Sequence, residues 1–194
     1  MVYATTIHLI RHGETDWNLE QKYQGQQDIP LNSTGIQQAQ FVAEKLEGNQ
    51  FSALYSSDLI RAIQTAQEIS RKINLPIVTH SALREINQGD WEGKFIQDVL
   101  ATQGKEVRAV YQNPYTARKP GGESIAEVAE RMYACFDKLA EKHDQEQIIV
   151  VSHGLAIATV LCKVRELPLE MAIRNISENT GVRSEERRVG KECR

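Results

Sequence analysis

The sequence has few cysteines, and the three present, Cys135, Cys162 and Cys193, do not form a close pair. An odd, scattered set predicts neither a disulfide framework nor a zinc site and favours a reducing compartment. No apolar run approaches the roughly 20 residues that span a bilayer. The first six residues lack the basic and apolar regions of a signal peptide. We therefore expect a cytoplasmic protein that does not contact a membrane.

The chain also lacks an excess of positive charge, since its formal net charge is -3. This balance argues against a nucleic-acid or anionic-membrane partner. The 194 residues, 41% of them hydrophobic, suffice for one domain with its own core. We assign that domain to residues 1–182 and leave open whether it forms a homodimer. Residues 183–194 carry five basic and three acidic side chains and one aliphatic one. We expect this tail to be disordered or, as we favour, not native to the domain.

Strand-like and helix-like segments alternate along the chain. Four short runs favour strands: residues 5–10, 53–56, 77–80 and 147–151. Helical periodicity fills most of the intervals, including an apolar stripe over residues 59–73 that begins beside Asp58, a good capping residue. Ser124 and Glu127 form a capping-box pattern that predicts a second helix. Such alternation indicates an α/β fold, a three-layer α/β/α sandwich with a mostly parallel central sheet.

Two histidines follow predicted strands and precede glycines. One lies in the motif LIRHGET, residues 9–15, and the other in VSHG, residues 151–154. If the two strands are neighbours, His12 and His153 emerge at one edge of the sheet, where open α/β sheets bind ligands. Arg11 adds a guanidinium that matches phosphate oxygens. The pattern therefore predicts a phosphate site. The other histidines, His8, His80 and His143, lack such surroundings.

The first motif resembles the catalytic signature of the histidine phosphatase superfamily, which includes cofactor-dependent phosphoglycerate mutases and fructose-2,6-bisphosphatases. The resemblance covers residues 5–182 and implies a phosphoglycerate mutase-like fold with His12 as nucleophile. The segment SSDLIRAIQTA, residues 56–66, is similar to the family segment that supplies a second phosphate-binding arginine, here Arg61. The segment LREINQGDWEG, residues 83–93, is similar to the stretch with the proton donor, here Glu85, with Asp90 and Glu92 as rival carboxylates.

Further positions are expected to contact the substrate. Thr15 and Asn18 would bind phosphate oxygens, and Gln24 and Gly25 match a substrate-contact loop. At the position of Leu155 the phosphoglycerate mutases usually carry a polar residue. Here only the backbone N–H of Leu155 is available to contact the substrate. His153 is expected to carry a proton. Residues 121–124, GGES, match a family turn that we interpret as a helix start, and residues 95–120 are expected to form a lid.

These features predict a phosphomonoester phosphatase that acts on a small phosphorylated metabolite in two steps. His12 attacks phosphorus, and Glu85 first gives and then takes a proton. No cofactor and no metal are expected, because arginines would stabilise the transferred group. A phosphoglycerate mutase is the alternative. However, the lid lacks the adjacent arginines and following prolines of that branch, since Arg108 and Arg118 are separated. A binding module without catalysis is a third reading with no feature in its favour.

Overall fold

The computed structural model describes residues 2–190, with side chains described for residues 4–182. Five strands form one sheet: β1 (Val2–Arg11), β2 (Ala53–Ser56), β3 (Ile77–Thr79), β4 (Gln147–Ser152) and β5 (Val182–Gly190). Six α-helices connect them: α1 (Asp16–Leu19), α2 (Ser33–Leu46), α3 (Ile60–Ile73), α4 (Ile96–Gln112), α5 (Ile125–Lys142) and α6 (Gly154–Val164). Single 3-10 turns lie at Ser81–Leu83 and Gly89–Trp91, and a longer one at Leu169–Asn175.

The strand order is β3-β2-β4-β1-β5. The first four strands are mutually parallel, and β5 runs antiparallel to β1. Alternate residues of the central strands enter two separate cores. One face contributes Leu9 and Val150 to the core with α5 and α6, and the other contributes Ile10 and Val151 to the core with α2 and α3. The predicted three-layer α/β/α sandwich with a mostly parallel sheet is therefore confirmed.

The tail was expected to be disordered or, as favoured, not native to the domain. The first alternative does not hold for residues 183–190, which continue β5 and pair with β1 along its length. The physical reason is that an edge strand needs only backbone groups: its N–H and C=O groups satisfy those of β1, which would otherwise be unpaired. Residues 191–194 of the predicted tail lie outside the described residues. Whether the tail is native to the domain stays a prediction.

Helix starts were predicted with mixed success. The capping box at Ser124 is confirmed, because Ser124 and Glu127 exchange side-chain and backbone hydrogen bonds. The expected cap at Asp58 is wrong. Its carboxylate instead accepts two hydrogen bonds from Arg84, at 2.7 and 2.6 Å, and Asp28 accepts from the Ile60 N–H at 2.6 Å. Asp28, which is distant in sequence, thus caps α3, because the guanidinium of Arg84, 26 residues from Asp58, binds the carboxylate of Asp58.

Candidate active site

The register of the sheet brings the two histidines together. Arg11 and Ser152, the last residues of β1 and β4, are direct partners, and the His12 N–H donates to the Ser152 carbonyl at 3.0 Å. His12 and His153 are therefore the next residues on neighbouring parallel strands, and their ring centroids lie 5.1 Å apart. Each histidine is followed by glycine, and at Gly13 an added Cβ would lie 2.4 Å from the Gly35 carbonyl oxygen. The edge of the sheet thus packs too closely for a side chain there.

Hydrogen bonds fix the ring of His12. Its Nδ1 lies 2.6 Å from the carbonyl oxygen of Gly13, so this nitrogen carries the proton and donates. The other nitrogen, Nε2, then carries no proton, and its lone pair accepts a hydrogen bond from the Nε–H of Arg61 at 3.3 Å. Burial, followed by the charges of Arg61 and Arg11, holds the pKa of His12 well below its usual value. His12 is thus a neutral imidazole whose Nε2 is available as a nucleophile.

His153 lies behind His12 and is fully buried. Its Nε2 lies 2.8 Å from the hydroxyl of Ser57, and its Nδ1 is buried without a partner. Burial, followed by the charge of Arg61, lowers the pKa of His153 well below its usual value. The expectation that His153 carries a proton is therefore wrong for the unliganded site. Sequence reasoning treated it as one more cation around an anion and could not weigh the cost of burying that charge.

Arg61 is held by backbone carbonyls as well as by His12. Its two terminal nitrogens donate to the carbonyls of Gln27 and Gly25, both at 2.8 Å. Gly25 has a positive φ of 57°, and a Cβ there would lie 2.0 Å from the Glu92 carboxylate, so glycine is required in this turn. Burial lowers the pKa of Arg61 to about 10, which leaves the guanidinium charged at neutral pH.

Arg11 is oriented by one contact, a donation to the Ser177 carbonyl at 2.7 Å. Its Nε is buried and has no partner. Burial lowers the pKa of Arg11, and the nearby Glu85 carboxylate opposes that effect. The guanidinium therefore keeps donors free beside His12.

Glu85 rests on the first turn of α6. Its Oε2 accepts from the Leu155 N–H at 3.1 Å, and its Oε1 accepts from the Ala156 N–H at 3.1 Å and the Ile86 N–H at 2.9 Å. The positive end of the helix dipole favours a carboxylate at this place. This corrects the expectation for Leu155, whose N–H was assigned to the substrate phosphate but is donated to Glu85.

The loop of Glu85 is fixed by the GGES turn. Glu123 accepts from the Asn87 N–H at 2.8 Å and from Arg131 at 3.0 and 3.1 Å. Arg131 in turn donates to the carbonyls of Ala82, Arg84 and Glu85. The motif interpreted as a helix start therefore also positions the candidate proton donor. The rival Glu92 is engaged elsewhere, since it accepts from the N–H groups of Gln26 and Gln88.

A cavity of about 240 Å³ opens beside these groups. Of the predicted site residues, eight line it: Arg11, His12, Asn18, Gln24, Gly25, Arg61, Glu85 and Leu155. Thr15 and His153 do not line it. Both are fully buried, and the hydroxyl of Thr15 caps α1 and donates to Asn18 and Gln24. The expected phosphate contact of Thr15 is therefore corrected to a structural one, which positions two residues that do line the cavity.

Sequence reasoning missed part of the wall. Lys22, Tyr23, Gln88, Ile96, Ile173 and Ile176 also line the cavity, and none was assigned a role from sequence. Lys119, in the segment expected to form the lid, lines the cavity too. Within that segment Tyr111 also reaches the cavity, whereas Arg118 pairs with Glu127 and Tyr115 is exposed. Tyr111 lies on α4, whereas Lys119 lies in the segment that follows this helix.

Buried polar atoms without partners concentrate at this place. Among the described side chains there are five: Arg11 Nε, Gln88 Oε1, Lys119 Nζ, His153 Nδ1 and Ser177 Oγ. Three belong to cavity-lining residues, and the other two belong to residues that contact Arg11 or His12. Because buried polar groups are nearly always satisfied in folded proteins, this set indicates the position of a polar ligand.

Among the residues that the structure describes, no three His, Cys, Asp or Glu side chains are grouped as a metal site. No helix there could cross a membrane.

Comparison with known proteins gives concordant matches. The model of the histidine phosphatase superfamily, branch 1, matches residues 7–191. Phosphoglycerate mutase-like protein 4 of Arabidopsis thaliana is 40% identical over 166 residues, which are 84% of this chain and 72% of that protein. The structure of Bacillus stearothermophilus YhfR superposes with a TM-score of 0.86 at 32% identity and covers 92% of this chain and 89% of its own. A phosphoserine phosphatase from Entamoeba histolytica, in complex with 3-phosphoglyceric acid, gives 0.84 at 32% identity, with coverage of 93% and 89%.

Proposed function

Since the chain belongs to the histidine phosphatase superfamily, we propose that it is a phosphomonoester phosphatase acting on a small phosphorylated metabolite through a phosphohistidine intermediate. One observation carries this proposal: a neutral His12 presents its Nε2 beside two guanidinium groups, in a cavity with unsatisfied buried donors. The names of solved relatives agree with a phosphatase, among them the amoebal phosphoserine phosphatase. The modest size of the cavity, just below the about 300–1,000 Å³ usual for ligand pockets, favours a small substrate.

In the first step, Nε2 of His12 attacks the phosphorus, the P–N bond forms and the bond to the ester oxygen breaks. Glu85 supplies the proton that the departing alcohol requires. Arg11 and Arg61 neutralise the charge on the non-bridging oxygens, and the unpartnered Nδ1 of His153 donates to one of them. Ser57 accounts for this role of His153, because its hydroxyl holds Nε2 and leaves the proton on Nδ1.

In the second step, water attacks the phosphohistidine, and Glu85, now a carboxylate, takes the proton of the water. The P–N bond breaks, and inorganic phosphate leaves with His12 neutral again. The three N–H groups that hold Glu85 keep its carboxylate in one place for both steps. Asn18, Gln24 and Gly25, which line the cavity, complete the substrate contacts.

The test is hydrolysis of p-nitrophenyl phosphate by the wild type and by His12→Ala. We expect the variant to lose at least about 10³-fold in kcat, as for removal of an essential nucleophile. His8→Ala serves as the matched control, because His8 lies on the same strand and pairs with Gln147 away from the cavity. Rapid-quench mass spectrometry should show a phosphoryl adduct on the wild type only. Equal rates for His12→Ala and wild type would refute the nucleophile. Activity should also survive a chelator, because the scheme assigns no step to a metal.

A phosphoglycerate mutase is the second candidate, and the name of the Arabidopsis relative favours it. Incubation with 3-phosphoglycerate and a trace of 2,3-bisphosphoglycerate separates the two activities. We expect release of free phosphate. Formation of 2-phosphoglycerate without net release would establish the mutase instead.

We further propose the cytoplasm as the compartment. Cys135 and Cys162 are buried free thiols, which fits a reducing environment. Alkylation of the unfolded protein, isolated under non-reducing conditions, should find both thiols free.

A further inference from the structure

Lys119 is a buried cation that the two-step scheme does not use. Its side chain lines the cavity, the residue is 1% exposed, and its Nζ has no hydrogen-bond partner. Two aromatic rings face it: Nζ lies 5.5 Å from the ring centroid of Trp91 and 5.3 Å from that of Tyr111. Removing an ammonium from water without a polar partner is costly. A bound anion at this place would remove that cost.

The other cations of the wall have partners in the unliganded site, and the proposed mechanism assigns Arg11 and Arg61 to the transferred phosphoryl group. Lys22 pairs with Glu20 at 2.6 Å, and Arg61 uses all three of its nitrogens on His12 and two carbonyls. Two carboxylates, Glu85 and Glu123, act on Lys119 electrostatically, but neither forms an ion pair with it within the described residues. Lys119 thus differs from these cations in that its charged atom has neither a hydrogen bond nor an ion pair among the described residues.

The backbone places Lys119 beside the proton-donor loop. The Gly122 N–H donates to the Lys119 carbonyl, and the Asp90 N–H donates to the carbonyl of Pro120, both in the segment that follows the lid helix. Glu123, four residues after Lys119, holds the Asn87 N–H of the same loop. In the proposed mechanism Glu85 gives its proton to the ester oxygen, so the leaving alcohol lies towards this loop. Lys119 therefore lies on the side of the alcohol and not of the transferred phosphoryl group.

We propose that Lys119 binds a carboxylate on the alcohol portion of the substrate, so that the substrates are phosphate esters of small hydroxy acids. This inference rests on the proposed phosphatase function. A single ammonium matches one carboxylate, whereas the phosphoryl group is met by two guanidinium forks and an imidazole. The charge is available at neutral pH, because burial lowers the pKa of Lys119 only to about 8. The limited volume of the cavity also favours a carboxylate over a second phosphate.

The test compares two esters that differ only at the proposed contact. 3-Phosphoglycerate carries a carboxylate where glycerol 3-phosphate carries a CH₂OH group, and their phosphate ends are alike. We expect the wild type to prefer 3-phosphoglycerate in kcat/KM by about 10- to 100-fold, the range for a hydrogen bond to a charged group. In Lys119→Met this preference should disappear, with glycerol 3-phosphate hydrolysed as before. Lys105→Met, an exposed lysine on α4, is the matched control and should keep the preference.

The outcomes separate the possible roles of Lys119. Equal losses on both esters in Lys119→Met would overturn the proposal, because they would indicate an effect on Glu85 or on folding. A wild type without preference, yet active on p-nitrophenyl phosphate, would overturn it too and leave the phosphatase function intact. A wild type inactive on all three esters would instead count against the proposed function.

A measurement on the wild type alone covers the case in which the variant does not fold. The preference ratio should decline above about pH 8, as the free Lys119 loses its proton. The other titratable groups near Lys119 are Glu85, Glu123 and Tyr111. Of these, Tyr111 has a pKa that burial raises above its usual value. A ratio that stays constant through pH 9 would contradict the assignment.

Discussion

Replacement of Glu85 by glutamine separates the two steps of the proposed reaction. The carboxylate accepts three N–H groups, from Ile86, Leu155 and Ala156. The amide oxygen of glutamine can keep two of them, but its NH₂ group would then face the Leu155 N–H. One unsatisfied donor costs about 1–3 kcal/mol. At about 2–4 °C per kcal/mol for a protein of this size, we expect a modest fall in Tm and a folded variant.

The catalytic effect should depend on the leaving group. A simple alkoxide leaves poorly, so loss of the general acid should lower kcat/KM for glycerol 3-phosphate by about 10²- to 10⁴-fold. p-Nitrophenolate is a stable anion that departs without a proton, so formation of the phosphohistidine from its ester should be little affected. The second step still needs Glu85 as base, and the intermediate should therefore accumulate in Glu85→Gln.

The assay is a rapid-quench measurement of nitrophenol release by Glu85→Gln. We expect a burst of about one nitrophenol per site, followed by slow turnover, as when a covalent intermediate accumulates. With glycerol 3-phosphate no burst should occur, because the first step is then slow. Equal losses in kcat/KM for the two esters, with no burst for either, would refute the proton-donor role of Glu85. Asp90→Asn, which changes the exposed rival carboxylate, should leave both esters unaffected.

Three further predictions concern the histidines and their supports. The pKa values of His12 and His153 lie well below 6.5 in the folded state, so unfolding takes up protons below that pH. The free energy of unfolding should therefore fall as the pH drops below about 6.5, by up to about 1.4 kcal/mol per pH unit for each ring. Urea titrations between pH 7 and 5 should show this slope, and His153→Asn should reduce it by about half; an unchanged slope would contradict the assignment. Ser57→Ala removes the hydroxyl that lies 2.8 Å from His153 Nε2, and we expect about a tenfold loss of kcat/KM on p-nitrophenyl phosphate; an unchanged value would count against that contact. Gly13→Ala would place a Cβ 2.4 Å from the Gly35 carbonyl oxygen, and thermal unfolding should show a clear loss of stability, with an unaltered Tm contradicting the packing described.

The parts of the site that sequence predicted well depend on strand periodicity. The apolar runs before His12 and His153 specify neighbouring buried strands, and a parallel register then leaves little choice about where the two rings lie. Arg61 is similarly constrained, since it stands in the first turn of a helix whose apolar stripe fixes its rotation. These inferences use only local pattern and the geometry of parallel sheets.

The predictions that the structure corrects concern residues for which distant partners compete. Asp58 is a suitable cap by composition, but Arg84 takes its carboxylate, and Asp28 caps the helix in its place. Thr15 is a suitable phosphate ligand by type, yet its hydroxyl is used by Asn18 and Gln24. In each case the residue can make either contact, and only the three-dimensional arrangement decides which partner is nearer.

Leu155 shows what such a competition means for the chemistry. A helix N-terminus after a catalytic histidine would ordinarily bind the substrate phosphate. Here the N–H groups of Leu155 and Ala156 hold Glu85 instead, so the proposed mechanism assigns phosphate binding to the side chains of Arg11, Arg61 and His153. A carboxylate gains most from these N–H groups when it is ionised, which is the form required for activating water. The arriving phosphate dianion then supplies the opposing charge that favours the protonated acid needed at the first step. The same residue can thus alternate between acid and base because the fixed helix favours one form and the transient substrate the other.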